Sequence, residues 1–248
     1  MIQLDIILPL YKPKKGWETH VLEAMAELRR YLTGKNCAIH LFIVNDGSDL
    51  TYFPEGILSK IRNSAEKFTF LSYSNNHGKG YSLRYAVSRT SGDYQIYTDG
   101  DFPFSWHSVA DAFDALQAGA DVVMGSRSKD YSAALPTMRK HLSSSVKRLN
   151  RFLLELPDEY SDTQSGLKGF NKLGKKMFLA TTVDTFLFDT EFILIAWKNS
   201  LNISCIPLKL KPNLHFSKMG SMVMLRELRH FVKVIFKHRF KRRKPRLE

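Results

Sequence analysis

Short apolar runs alternate with longer amphipathic stretches through the first half of the chain. That alternation predicts βαβ units around a mainly parallel central sheet flanked by helices, an α/β fold. Leu4 to Leu8 reads as the first strand, with Ile39 to Val44, Phe68 to Tyr73, Tyr94 to Thr98 and Asp121 to Met124 as four more. Between them, Thr19 to Leu32 and Ser82 to Ser88 carry helical periodicity. Ser105 to Ala118 sets Val109, Phe113 and Leu116 on one face before Gly119 stops it. Beyond residue 128 the alternation gives way to a basic helical stretch, a Ser/Thr/Gly region near 161–171, a helix from about 189 to 199 and a strand near 203–210. No internal repeat or low-complexity segment interrupts the chain.

Each predicted strand ends in a polar or turn-forming loop: Pro9-Leu10-Tyr11, Asn45-Asp46-Gly47-Ser48, Asn75 to Gly80, Asp99-Gly100-Asp101 and Gly125-Ser126-Arg127. Ligands of open α/β sheets bind outside the carboxyl ends of the strands, so these loops locate the expected site.

Asp99 and Asp101 offer hard oxygen ligands at a strand tip, a donor set suited to Mg²⁺ or Mn²⁺ carrying a nucleotide diphosphate. An Asp-Gly turn with solvated acids would use the same residues. Asp46 can accept a hydrogen bond from the imide N–H of uracil or guanine, although the surrounding Asn, Gly and Ser also suit a plain β-turn. Gly78-Lys79-Gly80 precedes a helix but fails the dinucleotide-fingerprint spacing, because Leu83 holds the third glycine position. What remains is a glycine-flanked Lys79 near a helix N-terminus, suited to anionic oxygens or simply to solvent.

Taken in order, strand-Pro9-Leu10-Tyr11, Asn45-Asp46-Gly47-Ser48, Gly78-Lys79-Gly80-Tyr81-Ser82-Leu83-Arg84, Asp99-Gly100-Asp101 and Gly125-Ser126-Arg127 resemble a family 2 glycosyltransferase of the Rossmann-like GT-A fold. Asp162-Thr163-Gln164-Ser165-Gly166-Leu167-Lys168-Gly169-Phe170 and Phe188-Asp189-Thr190-Glu191-Phe192 resemble the branch that glycosylates polyprenyl phosphates, the dolichyl-phosphate glucosyl- and mannosyltransferases. The resemblance covers roughly residues 3 to 211. It implies a nucleotide-sugar donor site in which Asp46 contacts the base, Pro9 and Tyr11 pack around the nucleoside, and Gly100 lies beside Asp99. In the same way it implies that Asp99 meets the ribose or the metal and that Asp101 ligates Mg²⁺ or Mn²⁺. Arg127 and Arg139 would hold phosphates at the donor–acceptor junction, while Gln164, Ser165 and Lys168 would line the acceptor side.

The implied activity is inverting transfer of a hexose from a UDP- or GDP-linked sugar to a polyprenyl phosphate. A phosphate acceptor is ionised at neutral pH and needs no strong base, whereas a sugar hydroxyl does. Asp189 matches the position of the catalytic Asp in relatives that act on hydroxyls, which keeps polysaccharide or glycan assembly as the alternative. It also fits a helix first turn, where the macrodipole favours a carboxylate. Three positions depart from the family pattern: Lys12-Pro13 where an acidic residue often follows, Asn45 for a common Asp, and Pro103 where some relatives carry a polar metal ligand.

A composition 44% hydrophobic and 25% charged is that of a globular protein rather than a disordered one. Met1 to Asp5 enters a strand-like run without a basic region or cleavage site, which argues against secretion, and Cys37 and Cys205 are expected as two buried thiols in a reducing cytoplasm. The net charge of +13 concentrates in Arg139 to Arg151 and Arg226 to Arg246. From Met222 to Arg239, Met224, Leu225, Leu228, Phe231, Val232, Ile235 and Phe236 share one helical arc and Arg226, His230, Lys233 and Lys237 the other. A helix of that kind fits an anionic membrane surface at the cytoplasmic face, or docking on the domain with its charges solvated. No nucleic-acid-binding motif accompanies the charge, and no stacking aromatics interleave it. The expected organisation is a catalytic domain over 1–212, a basic C-terminal helix and tail over 213–246, and a cloning scar at 247–248. Homodimerisation is left open.

Overall fold

Both faces of the first strand are apolar, and that dictates a three-layer arrangement. Successive side chains of a strand point to opposite sides, so Leu4, Ile6 and Leu8 enter one buried cluster and Ile7 enters another. The computed structural model describes residues 1–100, 102, 104–127, 147–148, 150–152 and 154–208. Within them run β1 (Ile2–Leu10), α1 (Trp17–Leu32), β2 (Cys37–Asp46), α2 (Glu55–Arg62), β3 (Lys67–Tyr73), α3 (Lys79–Val87), β4 (Tyr94–Tyr97), α4 (Trp106–Gln117), β5 (Val122–Arg127), β6 (Lys168–Phe170), α5 (Lys172–Leu179), α6 (Phe188–Lys198) and β7 (Ile203–Leu208). The seven strands lie in the order β3-β2-β1-β4-β6-β5-β7. One face is covered by α1, α2 and α4 through Val21, Met25, Ile61, Val109 and Phe113, and the other by α3, α5 and α6 through Leu83, Val87, Phe178, Phe188 and Phe192.

All pairings are parallel except those of β6, which runs antiparallel to both β4 and β5. Its direction brings its first residue, Lys168, to the edge where β4 and β5 end, paired with Tyr97 and Met124. The sequence pattern gave no warning of β6. It is three residues long and its Gly169 is wedged against Ile96 and Leu116, so neither alternation nor β-branched residues mark it.

Three of the polar loops expected after strands belong to the strands themselves. Pro9 and Leu10 pair with Val44 and Asn45, Asp46 pairs with Tyr73, and Gly125, Ser126 and Arg127 pair with Ile206, Pro207 and Leu208. A parallel neighbour extends the ladder past the point where apolar character ends. Helix α3 starts three residues earlier than its periodicity suggests, and two helices escaped the pattern. One is the short α2. The other is α5, whose lysines mask its apolar stripe but whose Asn171 caps it by accepting from Leu173 N (2.9 Å) and Gly174 N (3.1 Å).

The expectation of two buried thiols needs correction: Cys37 is half-buried and Cys205 exposed, because β7 is an edge strand whose outward positions meet solvent. Both cysteines are free. Among the described residues no helix is long and apolar enough to cross a membrane. The basic C-terminal helix expected over 222–239 lies outside the described residues, as do Asp101, Pro103, Arg139 and Lys140.

A methyl group at Gly174 would lie 2.5 Å from the Asp121 carbonyl oxygen and 2.6 Å from Phe170 Cβ. Gly174→Ala is therefore expected to destabilise the fold by about 1–3 kcal/mol, read as a lower urea midpoint at unchanged m-value.

Candidate functional site

The carboxyl edge of the sheet is laced together by polar side chains. At the end of β2, Asn45 closes the turn on itself, accepting from Ser48 N and donating to the Ser48 carbonyl, both at 2.8 Å. A carboxylate could accept but not donate, which accounts for Asn where Asp is common. Ser48 Oγ in turn accepts from Lys12 N at 2.8 Å, joining the ends of β1 and β2 and leaving Tyr11 half exposed beside them.

Asp46 is tied into the chain that follows β3. Its Oδ1 accepts from Tyr73 Oη and His77 N, both at 2.9 Å, and its Oδ2 from Asn76 Nδ2 at 2.9 Å and Gly78 N at 3.1 Å. A carboxylate has about four acceptor positions, and here the last residue of β3 and the β3–α3 loop supply four donors. Asp46 thereby shapes the loop that carries Lys79.

Helix α3 does not offer a bare N-terminus to an anion. The amides of Gly80 and Tyr81 donate to the Asp184 carbonyl at 2.7 and 3.3 Å, so the anionic oxygens expected there find those donors taken. Gly78, at φ 100°, and Gly80 press against the 183–185 backbone, where a side chain would collide with the carbonyls of Asp184 and Val183. From the first turn of α3, the Lys79 ammonium reaches Asp99 Oδ1 at 2.6 Å. The Asp99 side chain is 40% exposed, and Gly166 packs directly against its Oδ2, where a Cβ would overlap it. Gly100 is pressed in the same manner against the Leu10 side chain.

Where the resemblance places the acceptor, three consecutive residues of the first turn of α6 are buried and polar. Asp189 Oδ1 accepts from the Tyr97 hydroxyl and lies 3.3 Å from Lys168 Nζ. Thr190 Oγ1 meets Thr163 Oγ1 at 2.7 Å and accepts from Gln164 Nε2 at 3.0 Å. Glu191 accepts from Thr182 N at 2.6 Å, Val183 N at 2.9 Å and Thr182 Oγ1 at 3.1 Å. Lys168 is fully buried, donating also to the Ser165 carbonyl and, at 3.2 Å, to Ser165 Oγ. Burial pushes its ammonium below the ordinary lysine value, with Asp189 acting against that shift. Burial also raises the Tyr97 phenol well above its usual range, reinforced by Asp189. Lys168 and Ser165 therefore support the Gln164–Gly166 loop from behind, while Gln164 is the partly exposed member.

A second charged cluster closes the edge at β5. Arg127 grips Asp162 through its guanidinium (Nε to Oδ1 3.0 Å, and Nη2) and through its backbone N at 3.2 Å, and Lys147 Nζ approaches Asp162 Oδ2 at 3.1 Å. Burial pushes the Asp162 carboxyl up, but Arg127 and Lys147 outweigh it and hold the group below its ordinary 3.8.

The structure thus gathers Lys79, Asp99, Gly166, Lys168 and Asp189 into one neighbourhood, with Asp46 tied to it through Gly78. Tyr97, Asp162, Thr190 and Glu191 have parts that sequence reasoning did not assign. For Thr190 and Glu191 the signal was available in Asp189-Thr190-Glu191, an unbroken polar triplet heading the apolar run from Phe192 to Ala196. Among the described residues no three His, Cys, Asp or Glu side chains cluster as a metal site. Asp99 nonetheless presents a carboxylate, 40% exposed, at this edge of the sheet, and a carboxylate is an oxygen ligand of the kind a divalent cation takes.

The model of Glycosyl transferase family 2 matches residues 5–180, and the chain belongs to that family. Among curated proteins it is 23% identical over 229 residues to the dolichyl-phosphate beta-glucosyltransferase of Saccharomyces cerevisiae. That alignment spans 84% of this chain and 66% of the relative, just under two thirds of its length. Among solved structures, the chain resembles glucosyl-3-phosphoglycerate synthase from Mycobacterium tuberculosis in complex with Mn²⁺, UDP and glucosyl-3-phosphoglycerate. The TM-score is 0.66 at 15% identity, over 96% of this chain and 80% of that one. It also resembles mannosyl-3-phosphoglycerate synthase from Rubrobacter xylanophilus, with a TM-score of 0.65 at 16% identity over 100% and 76%. These two share the GT-A fold with the chain.

Because the folded pKa of Asp162 lies below its unfolded value, the stability it contributes is present above pH 3.8 and is lost as pH falls through the lower folded value. Asp162→Asn is expected to flatten the fall in stability below about pH 4, measured by urea unfolding at stepped pH, and to cost about 1–3 kcal/mol at neutral pH by breaking the largely buried Arg127–Asp162 pair.

Proposed function

We propose that this chain catalyses inverting, metal-dependent transfer of a hexose from a UDP- or GDP-linked sugar to a polyprenyl phosphate. The observation that carries the choice of acceptor is the state of Asp189: its Oδ1 already serves the Tyr97 hydroxyl and the buried Lys168 ammonium. An acceptor phosphate, ionised at neutral pH, requires no proton acceptor, so Asp189 can be given over to these two contacts. Similarity to the yeast dolichyl-phosphate beta-glucosyltransferase supports the same choice.

Asp99 and Asp101 hold the Mg²⁺ or Mn²⁺ in this reading, and the ion supplies charge neutralisation for the departing nucleotide diphosphate. Lys79, anchored between two tightly packed glycines, binds diphosphate oxygens. Pro9 and Tyr11 flank the nucleoside, and Asp46 acts by shaping the loop under it. Arg127 and Arg139 bind the phosphates at the junction, and Gln164 orients the acceptor, with its loop braced from behind by Lys168 and Ser165. Fixed cations aimed at the place where negative charge gathers need no reorganisation during the reaction. The basic segment over 213–246 holds the chain to an anionic membrane at the cytoplasmic face, where a polyprenyl phosphate resides.

Incubation with a panel of nucleotide sugars, Mn²⁺ or Mg²⁺, and either a short-chain polyprenyl phosphate, 3-phosphoglycerate or an oligosaccharide tests the reading. A polyprenyl-phosphate-linked hexose is the expected product, and transfer only to a hydroxyl acceptor overturns it. Asp99→Asn is expected to lower kcat/KM about 100-fold, measured with the donor found in that panel. Cosedimentation with anionic but not neutral vesicles, lost in 0.5 M salt by a rough screening estimate, checks the membrane contact.

A further inference from the structure

We propose that Glu191 is a positioning residue for the donor side, acting on Lys79 through the backbone of residues 182–184. The proposal rests on the reading that Lys79 binds the donor diphosphate. Glu191 is fully buried, and its carboxylate takes the amides of Thr182 (2.6 Å) and Val183 (2.9 Å) together with the Thr182 hydroxyl (3.1 Å). Charge-assisted bonds of this kind, shielded from water, hold a segment more tightly than neutral ones. The next carbonyl along, that of Asp184, caps α3 by accepting from Gly80 and Tyr81.

Two further contacts tie the same segment to α3. Arg84 donates to the Val183 carbonyl at 2.6 Å and grips the Asp184 carboxylate, while Gly78 and Gly80 pack so closely on it that neither has space for a methyl group. Packed backbones without slack move together. Lys79 lies between those glycines, and its ammonium reaches the Asp99 carboxylate at 2.6 Å. Displacement of the 182–184 segment therefore displaces the ammonium from the crevice. Glu191 never touches the donor on this account.

The test is calorimetric titration of UDP, or of GDP in its place where the donor panel shows transfer from a GDP-linked sugar, in saturating Mn²⁺ into the wild-type chain, Lys79→Ala, Glu191→Ala and the double variant. Each single change is expected to weaken UDP about tenfold, and the double variant to be no weaker than Lys79→Ala within about twofold, since the two act through one group. Glu191→Gln, which keeps an acceptor oxygen for the two amides, is expected to restore most of the affinity. Equal weakening by Glu191→Ala with and without Lys79, or no weakening at all, overturns the proposal while leaving Lys79 in its donor role. If Lys79→Ala itself leaves UDP binding unchanged, the donor role of Lys79 falls and this inference falls with it. Should Glu191→Ala not fold, Gly80→Ala drives a methyl against the Val183 carbonyl from the opposite side. It is expected to weaken UDP only where Lys79 is present, and additivity there is equally decisive against the proposal.

Discussion

Buried polar groups must find partners, and the first turn of α6 shows what that demand builds. Asp189, Thr190 and Glu191 are each less than 5% exposed, and at helical spacing three consecutive residues project in three different directions. Each therefore needs a partner on a separate piece of chain. Asp189 takes Tyr97 at the end of β4 and Lys168 at the start of β6, Thr190 takes the 163–164 loop, and Glu191 takes the 182–183 backbone. One turn of helix thus fastens the end of β4, the start of β6, the 163–164 loop and the 182–183 segment to a common rigid element. Its position at a helix N-terminus also suits the two carboxylates, since the macrodipole favours negative charge there.

The same economy explains why so many of the edge carboxylates are occupied. Asp46 spends its acceptor positions on the β3–α3 loop, Asp162 on Arg127 and Lys147, and Asp189 on Tyr97 and Lys168. Asp99 is different: its side chain is 40% exposed, with Lys79 and Gly166 beside it among the described residues. Preorganised sites divide labour in this way, with a few groups left toward the ligand and a larger number holding them in place. Solved structures that share only 15–16% identity with the chain retain the same fold, which a sheet buried on both faces explains: apolar identity is freely exchanged if volume and pattern are kept.

Much of the scaffold could be read from the chain alone. The apolar runs of β1, β2, β3, β4 and β5 and the amphipathic stripes of α1 and α4 stand out because burial imposes a period of two or about 3.6 on the residues that face it. The ordered polar motifs marked which edge of the sheet carries chemistry, and the family match agrees with the resemblance they carry. Elements with no period long enough to register, such as the three-residue β6 and the lysine-rich α5, stayed hidden.

What the sequence by itself determined was the α/β class, the family, the edge of the sheet bearing the polar motifs and the identity of the charged residues there. Only the tertiary structure decided how those residues divide their work: that Asp46 clamps a loop, that Lys168 is buried behind the 164–166 loop, that the α3 amides are already capped, and that Glu191 holds the backbone of residues 182–183. The physical reason is that a carboxylate's role depends on which donors reach its oxygens. Those donors come from residues as far along the chain from their acceptor as Tyr97 is from Asp189, brought together by strand order and an antiparallel insertion that local pattern does not encode.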